Sequence, residues 1–306
     1  MKQDKINIIY TFDANYIFPT IISILSLYKN TKKIKIYCLV PHEDTFLISE
    51  MMKKYLNFIE IKIMSFELDC FNNMKVDFHF SKSMYLKLKV TDIIDADKAI
   101  LIDSDTIITK NIEELFNEDL KNNLIGAIED IAGAKTTKIK RDKNDKYINS
   151  GVMLLNLKLI RNENFFQKAL EVYDIHKDEI IWPDQDIINK ITENKKLIFS
   201  NKFNKQIFSN KTSEEEFKKI LKNDNYILHF VGPVKPWQKW CNPSIFNFYN
   251  SFVKENKIYD FQPIEIQNVD QAISLANYYE INNEFELACK IKNNIIRILL
   301  QHIKAS

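Results

Sequence analysis

The sequence holds 306 residues, 45% hydrophobic and 27% charged, enough for one large α/β domain and a smaller appendage. A formal net charge of +2 excludes the strong basic field on which nucleic-acid binding draws. Cys38, Cys70, Cys241 and Cys289 lie too far apart for a CxxC metal site or a disulfide framework. No apolar run is long enough to span a membrane, so a reduced cytoplasmic protein is expected.

In chain order, Ile6 to Tyr10 predicts a first strand, with Thr11 to Tyr16 as the loop at its carboxyl end. Phe18 to Lys29 places Ile21, Ile22, Leu25 and Tyr28 at helical spacing, with Pro19 tolerated in the first turn. A second strand at Ile34 to Val40 ends at Pro41. A helix from His42 to Tyr55 and a third strand at Phe58 to Met64 follow. This β-α-β-α-β opening predicts right-handed crossovers and a mostly parallel sheet, which binds ligands beyond the carboxyl ends of its strands. Phe66 to Lys82 reads as irregular and Ser83 to Ile94 as a helix.

The stretch Asp97 to Lys110, DKAILIDSDTIITK, is the chemical centre of the chain. Ala99 to Ile102 suits a strand buried on both faces, and it runs straight into Asp103-Ser104-Asp105. Two carboxylates so close resist joint ionisation unless a cation sits between them, and hard divalent cations prefer carboxylate oxygens and substrate phosphates. The bland alternative is that both aspartates cap the following turn.

A short helix near Ile112 to Phe116 and a strand at Leu124 to Ile128 come next. Ala132 to Lys146 is polar, lysine-rich and without periodicity, and is expected to be a mobile recognition loop. Tyr147 to Leu157 returns to strand character, and a long helix is predicted from Lys158 to His176. Trp182-Pro183-Asp184-Gln185-Asp186 opens a helix to Glu193, followed by strands at Leu197 to Phe199 and Tyr226 to Phe230. The last strand leads into HFVGPVKPW. His229 closes the strand, Gly232 turns the chain in a sequence with only four glycines, and Lys235 follows as a point charge fit for a phosphate. A neutral imidazole beside two carboxylates makes a third metal ligand; alone it would be a satisfied core histidine.

From Ile6 to Trp240 these residues together resemble the family-8 glycosyltransferases. The resemblance implies a GT-A fold: a Rossmann-like α/β domain with a mostly parallel central sheet, moving a sugar from a nucleotide diphosphate with retention of configuration. It further implies that Asp103 and Asp105 of the DxD motif and His229 hold Mn²⁺, with Mg²⁺ as a substitute. Ser104, within the DxD motif, would belong to the donor-binding set; Gly232 and Lys235 would contact the donor diphosphate, and Thr11, Asp13 and Asn15 the uridine of a UDP-sugar. Lys87 falls where the family commonly has a basic donor contact, often arginine. Asn149, Ser150 and Gly151 match the family's N[AS]G segment, and Asp184 with Gln185 its DQD segment, both lining the donor sugar. Gln185 would lie near the anomeric carbon, although an amide is a poor covalent nucleophile. Trp182, Trp237 and Trp240 are open to either sugar stacking or core packing.

Acceptors in the resembled bacterial enzymes include lipopolysaccharide sugars, which implies a glycan acceptor and a peripheral contact with the inner membrane face. Two rivals stand beside this reading. A haloacid-dehalogenase-type phosphatase would use Asp103 as nucleophile, but would leave HFVGPVKPW unexplained. A non-catalytic nucleotide-sugar-binding module would keep every ligand and lack turnover. The expected division is a catalytic domain over 1–258 and a helical hairpin over 259–306, its helices running from Asp270 to Tyr279 and from Glu284 to Ile303. The second helix carries Leu287, Ile291, Ile295, Ile298 and Ile303 near helical spacing. It is expected to pack on the main domain or a second subunit, with membrane contact as the alternative.

Overall fold

The computed structural model describes residues 5–76, 81–90 and 94–305, with side chains through residue 297. Parts of the expected irregular stretch (77–80) and of the helix to Ile94 (91–93) lie outside the described residues, as do the side chains of Ile298 and Ile303. The strands are β1 Ile6–Thr11, β2 Ile34–Pro41, β3 Ile61–Phe66, β4 Lys98–Ile102, β5 Thr106–Ile108, β6 Ile125–Glu129, β7 Ile148–Asn156, β8 Lys196–Ile198, β9 Lys205–Ile207 and β10 Ile227–Phe230.

A seven-stranded sheet runs in the order β3-β2-β1-β4-β7-β6-β8, and a second sheet in the order β5-β10-β9. β1 pairs in parallel with β2 and β4, and β2 with β3, as the βαβ opening predicts. β7 departs from the parallel rule, running antiparallel to both β4 and β6. The consequence is chemical. Ile102 pairs with Val152, so the chain leaving β4 at Asp103 lies beside the chain entering β7 at Asn149-Ser150-Gly151. The Asp103 backbone N–H donates to Gly151 O at 2.7 Å. The two motifs are thereby held side by side by sheet register.

By chain packing the protein divides into two compact units: Met1–Lys205 with Tyr226–Leu228, and Gln206–Asn225 with His229–Ser306. In the first, Ile9, Leu39, Leu86, Leu101, Leu155 and Ile187 belong to one buried hydrophobic core. Burying such side chains contributes roughly 1.5–3 kcal/mol each. In the second, Trp237 lies 5.6 Å from Tyr249 between ring centroids, while Val234, Trp240 and Cys241 pack with Phe246 and Leu275. Trp237 and Trp240 are 6% and 7% exposed, so both are core anchors.

Several expected elements differ in detail. The helix expected from Ser83 is a 3₁₀ segment, Lys82–Lys89, and the third strand begins at Ile61 rather than Phe58. The long helix after Lys158 is two, Leu157–Asn162 and Phe165–His176, broken where Asn164 takes a left-handed φ of 51°. Asparagine tolerates that conformation better than most residues. The hairpin stands as expected, with helices Val269–Ile281 and Phe285–Ala305.

Ala132 to Lys146 differs most, because it is anchored at both ends. A helix spans Ile131–Thr136, capped by the Asp130 carboxylate. Beyond it, Asp145 pairs with Lys196 at 2.7 Å, the two side chains being 3% and 1% exposed, and accepts from Asn194 N at 2.9 Å. The Arg141 guanidinium lies 4.8 Å from the Tyr147 ring centroid. A buried, paired carboxylate held by hydrogen bonds fixes a loop that has no apolar periodicity of its own.

The cysteines separate cleanly by burial. Cys38 and Cys241 are buried and Cys70 and Cys289 exposed. Burial pushes the Cys241 thiol up to about 12 and raises Cys38 as well, leaving neither a useful thiolate fraction. Alkylation of the native protein should therefore label Cys70 and Cys289 alone. Peptide mapping that finds Cys38 or Cys241 modified before unfolding would contradict this packing.

Candidate active site

The site grows from the carboxyl ends of β1 and β4 and the start of β7. At β1 the chain enters TFDANY. Asp13 caps the next turn through Asn15 N at 3.0 Å, and its other oxygen accepts from Ser83 Oγ at 3.4 Å. Thr11 is 8% exposed, and its hydroxyl is buried without a hydrogen-bond partner, a condition that normally calls for a ligand or water. The Asn15 side chain faces solvent.

The acidic turn after β4 is built on hydroxyls. Thr20 donates to Ser104 Oγ at 2.7 Å, and Thr106 donates to Asp103 O at 2.8 Å. Ser23 lies 2.8 Å from the Thr106 hydroxyl and 2.9 Å from Tyr10 Oη. These contacts fasten the turn to the helix that follows β1. Asp103, Asp105 and His229 each present one ligand atom, and the three atoms lie within 4.8 Å of one another. Two carboxylate oxygens and an imidazole are a donor set that suits a hard or borderline divalent cation.

Lys87 links this cluster to the DQD segment. Its ammonium is 5% exposed and sits 2.8 Å from Asp103 Oδ1 and 2.9 Å from Asp184 Oδ2. Burial alone would lower its pKa. The charges of Asp103 and Asp184 outweigh that and raise it, so the lysine is held charged. Asp184 Oδ2 also accepts from Ser150 Oγ at 2.8 Å, and the Ser150 backbone N–H donates to Gln185 Oε1 at 3.1 Å. Thus Asp103, Lys87, Asp184, Ser150 and Gln185 form one continuous polar network at the head of β7.

Lys235 belongs to the second unit. It is 6% exposed, and Nζ donates to Phe230 O at 3.0 Å. Gly232 has φ +86°, the left-handed region, so glycine is required for that turn. Trp182 is half-buried, and its indole N–H donates to Thr136 Oγ1 at 2.9 Å.

Some members of the network escaped sequence reasoning. Asp130 directly follows β6 and accepts from Gln185 Nε2 at 3.1 Å. Asn204 donates to Asn149 Oδ1 at 2.9 Å. Asp186 is 1% exposed and takes hydrogen bonds from Thr137, Tyr147 and the Ile181 and Trp182 backbones. For Asp130 a signal existed: like Asp103, it is a carboxylate at the end of an apolar strand.

The chain superposes on the crystal structure of the galactosyltransferase LgtC in complex with donor and acceptor sugar analogs. The TM-score is 0.70 at 21% identity, covering 84% of this chain and 98% of that one. The fold is that of the GT-A glycosyltransferases. A putative glycosyltransferase of Haemophilus influenzae is 30% identical over 271 residues, 84% of this chain and 81% of its own length. The lipopolysaccharide 1,2-glucosyltransferase of Escherichia coli K12 is 23% identical, covering 87% of this chain and 83% of the relative. The family model described as glycosyl transferase family 8 matches residues 7–241, and the chain belongs to that family.

Proposed function

We propose that the chain is a metal-dependent, retaining hexosyltransferase. It would move glucose or galactose from a UDP-sugar to a glycan acceptor, in lipopolysaccharide or another cell-surface oligosaccharide. The observation that carries this is the continuous network from Gln185 through Ser150, Asp184 and Lys87 to the Asp103, Asp105 and His229 cluster. It sets a candidate sugar-binding end beside a candidate diphosphate end. The named relatives act on glucose and galactose respectively, which supports a hexose.

In this reading Asp103, Asp105 and His229 would hold Mn²⁺ or Mg²⁺, which supplies charge neutralisation to the departing diphosphate. Thr11, Asp13 and Asn15 bind the uridine side, Thr11 offering its buried unpartnered hydroxyl. Gly232 and Lys235 would contact the phosphates, Lys235 as a point charge, and Ser104 would bind the donor beside the metal ligands. Asp184 orients donor-sugar hydroxyls with Asn149 and Ser150, its carboxylate held 2.9 Å from the Lys87 ammonium. Gln185 lines the anomeric side. An amide is a poor covalent nucleophile, so same-face attack assisted by the leaving phosphate fits retention better than a glycosyl-enzyme formed on Gln185.

Catalysis is assigned to residues 1–258, with the 259–306 hairpin accessory. Among the described residues no helix is long and apolar enough to cross a membrane. Ile281, Phe285, Leu287 and Ile296 on the hairpin are exposed, and contact with a second copy or with the inner membrane face would fall there.

A donor panel tests the proposal. UDP-glucose or UDP-galactose should release UDP in the presence of Mn²⁺, GDP-sugars should be poorer, and excess chelator should abolish turnover. Full activity in chelator would remove the metal from the reading. Phosphomonoester hydrolysis in place of sugar transfer would restore the phosphatase alternative.

A further inference from the structure

An amide has two chemically different ends: the nitrogen donates hydrogen bonds and the oxygen accepts them. At Gln185, which is 8% exposed, each end meets groups of fixed polarity. Nε2 donates to Asp130 Oδ2 at 3.1 Å, while Oε1 accepts from the Ser150 backbone N–H at 3.1 Å and from Asn149 Nδ2 at 3.2 Å. Turned over, the amide would set its oxygen against a carboxylate and its nitrogen against a backbone N–H. Both contacts would repel, so chemistry selects the observed orientation.

The neighbours are fixed in the same way. Asn149 Oδ1 accepts from Asn204 Nδ2 at 2.9 Å and from Gly151 N at 3.1 Å, which turns Asn149 Nδ2 toward Gln185. Asp130 is itself 8% exposed, and its Oδ1 accepts from Gly133 N at 2.8 Å, which aims Oδ2 at the amide. A Cβ on Gly133 would stand 2.9 Å from that oxygen and 2.6 Å from the Tyr147 ring, so glycine keeps the space the carboxylate needs.

We propose that Asp130 is a positioning residue for transfer: it fixes the Gln185 amide with its carbonyl oxygen held by two N–H donors. Gln185 then meets the donor sugar as a rigid hydrogen-bonding wall. Its oxygen lone pairs are engaged, and it is not the nucleophile. The inference rests on the proposed function, which places Gln185 beside the donor sugar.

The test exchanges polarity across the pair. Asp130→Asn keeps an oxygen for the Gly133 cap but turns an NH₂ toward Gln185 Nε2, setting donor against donor. The kcat should fall by about 100-fold, the scale of a misplaced reacting geometry, with UDP affinity little changed. Gln185→Glu alone sets two carboxylates together and should also lose activity. Combined, the two substitutions restore an acceptor opposite a donor at both ends and keep the net charge. The double variant should recover kcat to within roughly tenfold of the parent, a non-additivity expected only of residues in contact. A helix-capping role alone predicts no such rescue, because the cap oxygen survives in every variant. Parent-like kcat in Asp130→Asn would overturn the proposal, and so would losses that simply multiply in the double variant. A parent chain inert toward all nucleotide sugars would instead sink the proposed function. Thermal unfolding of the same four proteins needs no donor and still decides the pairing: non-additive midpoints support it, additive ones overturn it.

Discussion

Replacing Lys87 with methionine should destabilise the protein by about 3–5 kcal/mol, the cost of removing one partner from a buried ion pair. The ammonium lies between Asp103 and Asp184, at 2.8 and 2.9 Å, and is 5% exposed. Methionine fills the space with comparable bulk, so the loss is one of charge rather than volume. Two carboxylates would then lie in a low-dielectric setting with no lysine between them. The same removal should lower sugar transfer on the order of 100-fold, the usual effect of deleting one charge-stabilising donor. Mn²⁺ offers an independent readout. A cation bound at Asp103 would relieve part of the repulsion, so added Mn²⁺ should raise the melting temperature more in Lys87→Met than in the parent. Lys87→Arg keeps the charge and should stay within about 1–2 kcal/mol, since only hydrogen-bond geometry changes. Thermal melts with and without metal decide the matter. A methionine variant as stable as the parent would show that the buried pair contributes nothing.

Much of this site was legible in the sequence because its parts are contiguous. Asp103-Ser104-Asp105, Asn149-Ser150-Gly151 and Asp184-Gln185 each follow or open a recognisable element, and strand periodicity locates them. What sequence could not show was the pairing. That the Ser150 segment lies beside Asp103 depends on β7 running antiparallel to β4, and that Lys87 bridges two acids depends on packing between segments distant in sequence. Asp130 and Asn204 were passed over because they are single polar residues whose partners lie 55 positions away in each case. The loop before Tyr147 misled for a related reason. Its order comes from the buried Asp145–Lys196 pair, and such a pair leaves no periodic trace. Tertiary polar contacts, unlike apolar faces, have no period to read.

The largest loss of activity is expected from Asp105→Ala. Asp105 is 7% exposed and offers one of the three ligand atoms gathered within 4.8 Å with Asp103 and His229. Removing one carboxylate from a three-ligand set lowers both the charge and the number of protein donors available to a divalent cation. Transfer should drop by about a thousandfold or more, since a metal at a departing diphosphate supplies several kcal/mol of transition-state stabilisation. The fold should survive. The turn is fastened by Thr20 to Ser104 and by Thr106 to the Asp103 carbonyl, and neither bond uses the Asp105 carboxylate. Loss of activity and loss of structure are therefore separable. Titration of UDP with and without Mn²⁺ gives the discriminating measurement. The parent should bind UDP tightly only with metal, whereas Asp105→Ala should bind it equally weakly in Mn²⁺ and in chelator. If the variant keeps metal-dependent UDP binding together with parental turnover, Asp105 is no ligand, and the acidic turn after β4 has only a structural task.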